Sequence, residues 1–183
     1  MALVLSSSES STMEPVRKNR WVMQFKSIPG NDSNSNAKDK LGFVAHTCSI
    51  PSVSFGQTEY HRINERFYNA GKPTFNELSM TFYDFIQGTN SASQILYNWL
   101  QKVYNPLTGQ MGFKKQYSTS GTLAQLDPMG GVIRTWNLFY VWPASVDFGG
   151  SLSSEDDGFA DISVTFRYDL AIKGVDIDTT PTA

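Results

Sequence analysis

Along residues 160–172 apolar and polar positions alternate with period two. The even positions are Ala160, Ile162, Val164, Phe166, Tyr168, Leu170 and Ile172, and the odd ones are Asp161, Ser163, Thr165, Arg167, Asp169 and Ala171. Successive side chains of a strand leave on opposite faces, so the pattern predicts one long strand with a dry even face and a wet odd face. At ~3.3 Å per residue it would span roughly 43 Å, beyond the ordinary strand length. A strand of that reach suits a large curved sheet better than a compact enzyme.

Strand patterns dominate the rest of the chain. Residues 20–28 and 41–50 read as the first two strands, the second closed by Pro51, with a polar Asn/Ser/Asp loop at 30–40 too hydrophilic for core. Residues 52–72 read as a long hairpin projecting from the body, because its middle (Glu59, His61, Arg62, Asn64, Glu65, Arg66) offers few apolar groups to bury. Residues 75–85 form another strand, with Leu78, Met80 and Phe82 on one face. One segment carries a helical signature: Ser91-Ala92-Ser93-Gln94 fits a capping box, and Ile95, Leu96, Trp99, Leu100 and Val103 follow at helical spacing until Asn105-Pro106. The state of 107–131 is left open. Residues 132–142 form a strand that Pro143 is expected to end, and 151–158 form an acidic loop. The fold class expected is mainly β, an antiparallel β sandwich or barrel with one packed α-helix. Its domain is expected over 16–175, between a flexible N-terminal arm at 1–15 and a flexible tail at 176–183.

Composition changes the picture in one respect. Of 183 residues 40% are hydrophobic, 13% aromatic and only 17% charged, and a surface so poor in charge is one that partners commonly cover. The formal net charge of −2 gives no general nucleic-acid-binding signal. The sole cysteine, Cys48, excludes an intramolecular disulfide and a cysteine-based zinc site and reads as a buried inert thiol. There is no secretory leader pattern at the N-terminus and no apolar run long enough to cross a bilayer. On this reading the Asn31-Asp32-Ser33 sequon is without meaning, and the protein is expected to be made in a cytoplasm.

Candidate chemistry is sparse. His46 and His61 are the only imidazoles; the first reads as a structural strand residue and the second as facing solvent or a partner. Ala70-Gly71-Lys72-Pro73 lacks the phosphate-loop pattern and reads as a turn. Glu155-Asp156-Asp157 and Lys114-Lys115 read as solvated runs. No catalytic residue, metal site or cofactor is expected, and the protein is not expected to be an enzyme.

Several stretches, in order, resemble the tail tube protein of contractile-tailed (T4-like) bacteriophages, a family that shares its fold with the tubes of type VI secretion systems and R-type pyocins. They are residues 19–25, Cys48-Ser49-Ile50-Pro51, the run 62–75 with its Ala70-Gly71 turn and Thr74-Phe75 strand start, the helix with Trp99, the corner Trp142-Pro143, and residues 164–169. The resemblance implies a structural virion protein of the phage tail. Its subunits would form six-fold rings stacked into a tube inside a contractile sheath, conducting double-stranded DNA without binding it specifically. The implied partners are further copies of the chain, the tail sheath protein, and baseplate and tail terminator proteins.

On this reading Asp161, Ser163, Thr165, Arg167 and Asp169 line the lumen. Glu59, Arg62, Glu65 and Arg66 of the hairpin are available for intersubunit ion pairs. The alternatives are a type VI-like tube, a baseplate-proximal tube subunit and, from a different class, a monomeric β-barrel holding a small apolar ligand.

Overall fold

In the computed structural model, which describes residues 15–31, 36–86, 88, 91–150, 153–155 and 157–174, the alternating segments form antiparallel strands folded around one apolar core. Apart from Pro15, the expected N-terminal arm and C-terminal tail lie outside the described residues, as does Asp156 of the acidic run.

The main sheet runs β1 (Trp21–Phe25), β8 (Thr119–Leu126), β9 (Val132–Asp147), β10 (Asp161–Arg167), β5 (Leu78–Tyr83), β2 (Ala45–Cys48), with β11 (Leu170–Lys173) also on β9. β9 joins two half-sheets. Its first part pairs with β8 and β11, and its last residues pair with β10. The two halves enclose Met23, Phe25, Leu78, Met80, Phe82, Leu123, Leu138, Ile162, Val164 and Phe166, all buried. The path ends on β1 at one side and β2 at the other, so this is a wrapped open sheet and not a closed barrel.

Three helices accompany it among the described residues, where the sequence pattern suggested one. The longest, α2 (Ala92–Val103), follows its predicted pattern. Ser91 Oγ accepts the amide of Gln94, and Ile95, Leu96 and Trp99 are buried. Trp99 sits between Phe25 and Phe166, ring centroids 5.6 Å from each, and its Nε1 donates to the Tyr117 carbonyl at 2.7 Å.

The short α1 (Ala37–Phe43) replaces part of the expected polar loop and strand. Ala37 and Leu41, one turn apart, are both buried, which outweighs the Lys-Asp-Lys between them. Gly42 lets α1 approach β1, since a Cβ there would lie 2.6 Å from the Met23 carbonyl oxygen. The segment at 107–131 resolves into β7 (Gln110–Met111), which pairs with β6 (Tyr104–Asn105), then α3 (Lys114–Tyr117) and β8.

Two features depart from the long-strand expectation. Pro143 does not end β9. It is buried opposite Phe166, and Ala144 forms a bulge, as the pairing moves from Thr165 facing Ser145 to Phe166 facing Pro143. A bulge tolerates a residue without an N–H.

The second departure is a bend. β10 and β11 continue along β9 in one register, since Arg167 faces Trp142 and Leu170 faces Phe139. Opposite the junction stands Tyr140 with φ 57°, a left-handed value that a non-glycine residue rarely adopts. There the faces exchange. The even side is dry at Ile162, Val164, Phe166 and Tyr168, but Leu170 and Ile172 are exposed and Ala171 turns to the core. Ala160, before the strand, is exposed as well.

β3 (Val53–Arg62) and β4 (Glu65–Phe75) form the projecting hairpin. Its base is fixed by Tyr168, whose hydroxyl donates to the Ser52 carbonyl at 3.3 Å and whose ring lies 5.9 Å from that of Phe75. Every residue of β3 is exposed, and so are all of β4 except Gly71 and Phe75. Ala70 and Gly71 lie inside β4 and not in a turn. They flank a bulge, and a Cβ on Gly71 would stand 3.0 Å from the Gly56 carbonyl carbon and oxygen. Only glycine fits that crossing without moving backbone.

Candidate functional site: a hydroxyl-lined sheet face and a projecting arm

Four of the five odd-numbered candidates share one surface. Ser163 stands directly opposite Thr81 on one side and Asp147 on the other; Thr165 stands between Ser79 and Ser145; Asp161 faces Tyr83. Residues directly opposite in an antiparallel ladder share a face. Thr47 extends the row, its Oγ1 2.5 Å from that of Thr81, and Ser49 Oγ accepts the Ser79 amide at 2.9 Å. The half-sheet β2-β5-β10-β9 therefore presents a continuous hydroxyl surface with its apolar side turned to the core. His46 lies against Tyr83, ring centroids 4.4 Å apart, and is exposed.

Charge on this face is anionic. Asp147, Asp161 and Glu77 outnumber Arg167, the one guanidinium, whose Nη2 lies 2.7 Å from Glu77 Oε1. Asp147 also organises the turn that follows β9, accepting the amides of Gly149 and Gly150 at 3.2 and 3.1 Å. The fifth candidate, Asp169, is set apart. It lies past the bend and pairs with Lys114 of α3, whose ammonium stands 5.6 Å from the centre of the Tyr140 ring.

Two of the four hairpin candidates, Glu59 and Arg66, come together within the arm. Glu59 Oε1 takes Arg66 Nε at 3.5 Å and His61 Nε2 at 3.3 Å within the arm. Arg62 and Glu65 face each other across the turn. The pattern missed Ile63, at the tip, with φ 54° and 94% of its surface exposed. A β-branched residue in the left-handed region costs about 1–2 kcal/mol relative to glycine. Below it Tyr60 and Phe67 stack with centroids 5.3 Å apart.

Among the described residues no three His, Cys, Asp or Glu side chains converge on a metal position. Asn31 is buried and its amide is spoken for, donating to the Ile95 carbonyl and accepting from Asn98, each at 3.1 Å. The interior that a ligand carrier would hollow out is filled by Trp99, Phe82, Phe166 and Met23, all fully buried.

Cys48 donates to the Ser49 carbonyl at 3.2 Å, and burial pushes its thiol up to about 12. With the thiolate suppressed at neutral pH, Cys48 should react with maleimide far more slowly in the native protein than in denaturant. Equal rates at pH 7 would contradict this packing.

A sequence model described as phage tail tube protein matches residues 14–170. The chain belongs to the phage tail tube protein family. No curated protein sequence matches it at a significant level. Solved structures give the fold independently. A chain of the PVC sheath–tube complex, an extracellular contractile injection system in its extended state, is 16% identical with a TM-score of 0.65, covering 93% of this chain and 99% of that one. A chain of the anti-feeding prophage tube-terminating cap is 13% identical with a TM-score of 0.67, covering 88% and 92%. The PVC sheath/tube terminator gives 17% identity and a TM-score of 0.64, covering 89% and 99%. The tail tube fold is thus shared at low identity. No helix among the described residues of this tail tube protein is long and apolar enough to cross a membrane.

Proposed function

We propose that this tail tube protein forms six-fold rings that stack into the tube of a contractile phage tail, and that the tube conducts DNA during ejection. Its partners are then other copies of itself, the sheath, and the baseplate and terminator proteins at the two ends. It works in the virion after synthesis in the host cytoplasm. The observation that carries the reading is the β2-β5-β10-β9 face, hydroxyl-lined and anionic, on a subunit whose main sheet ends, among the described residues, on the edge strands β1 and β2. Open edges pair readily with other chains, and closure into a ring removes them. Edge-to-edge joining of six subunits would place this face around a bore.

A wall of that kind suits passage. DNA is densely negative, and a surface of hydroxyls and carboxylates gives it no lasting hold. Arg167 is the exception, and Glu77 occupies its guanidinium. Glu77→Gln should leave stability nearly unchanged, since an exposed ion pair is worth about 0–1 kcal/mol. It should also increase retention of short duplex DNA by assembled tubes at low salt. The effect should fade as salt rises and vanish in Glu77→Gln/Arg167→Gln. Equal retention by Glu77→Gln and unaltered tubes over the whole salt range would contradict the masking role. Asp161→Lys should act in the same direction and is a cleaner site than Asp169, which Lys114 holds.

The hairpin is the element proposed to reach a neighbouring subunit, with Arg62 and Glu65 at its tip. Electron microscopy tests the assembly itself. Rings or tubes are expected at high concentration or after nucleation by a baseplate component. A monomer at every concentration, even with that component present, contradicts the reading.

A further inference from the structure

Two apolar features of the subunit without a partner among the described residues are complementary. One is Ile63, held in a left-handed backbone conformation at the hairpin tip with its side chain in water. Strain of this kind persists where it serves a function, and among the described residues Ile63 is left almost wholly exposed. The other is a groove of about 460 Å³ between α1 and α2, lined by Leu41, Phe43, Val44, Phe85, Ala92 and Ile95. Phe43 is 87% exposed at its mouth. Asp39 and Lys40 also line it, one charge of each sign.

We infer that Ile63 of one subunit docks into the α1–α2 groove of a second copy, with Arg62 meeting Asp39 and Glu65 meeting Lys40. The subunit's own tip does not fill its own groove, since both Ile63 and Phe43 stand exposed in the same chain. The tip carries one cation and one anion on either side of the isoleucine, and the groove offers their counterparts. Tip and groove are different surfaces, so the contact is head-to-tail. Such a contact either closes into a ring or repeats openly from copy to copy. Stacked rings use the open form, and the groove is then the acceptor that the arm requires. The inference rests on the tube reading above, and it adds where the arm lands.

The test uses full-length protein carrying Cys48→Ser. Subunits with Ile63→Cys and subunits with Phe43→Cys are assembled together and separately, then mildly oxidised. Peptide mapping should find a disulfide joining position 63 to position 43, between different chains, in the mixed tubes only. Ile63→Gly relieves the backbone and should melt no lower than the unaltered subunit. It should nevertheless raise the concentration needed for tube growth on the order of tenfold or more, as loss of a buried anchor does.

Tubes that form normally but carry no 43–63 bond overturn the docking and leave the tube reading standing. So do tubes that grow from Ile63→Gly at the unaltered concentration. Failure of the unaltered protein to form rings or tubes under any condition overturns the tube reading and this inference together.

Discussion

Subunits whose residues 58–69 are replaced by Asn-Gly are expected to fold normally and to form no tubes. Gln57 faces Ala70 in the hairpin ladder, so a two-residue turn closes the shortened strands in register. Everything removed is exposed, and exposed side chains contribute little to stability. Circular dichroism and the melting temperature should therefore change little, while sedimentation shows single subunits or isolated rings. Normal tubes from the shortened protein would show that the arm takes no part in stacking. Reversing charge is a milder probe. Arg66→Glu would also repel Glu59, which Arg66 holds within the arm, so Arg62→Glu isolates the intersubunit effect better.

The second large effect lies in the core. Trp99→Ala is expected to cost ~3–5 kcal/mol, because it removes a fully buried ring from contact with Phe25 and Phe166 and leaves a cavity. A further ~1 kcal/mol follows from the Tyr117 carbonyl losing its donor. In a chain of this length the melting point should fall by about 10 °C or more. Trp99→Phe keeps most of the ring contacts but lacks the Nε1 donor, and should lie between. A melting curve for Trp99→Ala within about 2 °C of the unaltered protein would contradict the described packing.

What could be read from the sequence follows from how local each signal is. The alternation at 161–168 and the helix at 92–103 are written by the burial of their own residues, so periodicity finds them. The projecting hairpin was legible for the opposite reason: its polar middle has nothing to bury against. The strand's loss of alternation after Tyr168 was hidden, because it accompanies a left-handed residue on the partner strand, Tyr140. Pro143 misled for a similar reason, its missing N–H being harmless only because Ala144 bulges opposite β10. In α1 two buried residues outweigh three charged ones, a balance that composition reads as loop.

The candidate surface was half legible. Asp161, Ser163, Thr165 and Arg167 announce a wet face by parity, yet the hydroxyls completing it come from β2, β5 and β9. Only the register joins Thr81 and Asp147 to Ser163. The masking of Arg167 by Glu77 depends on two strands far apart in sequence, and no local pattern contains it. Ile63 did leave a signal, an isoleucine inside a charged turn where glycine or asparagine is usual. Its meaning came from its backbone angle and exposure.

The central claim is that the β2-β5-β10-β9 face lines the bore of a self-assembled tube. An electron cryo-microscopy map of tubes grown from the full-length protein tests it most directly. The account predicts six subunits per ring, with Thr81, Asp161 and Ser163 facing the axis, their strands joined edge to edge around it, and α2 on the far side of the sheet. A map in which these residues face outward, with another surface against the axis, would contradict it.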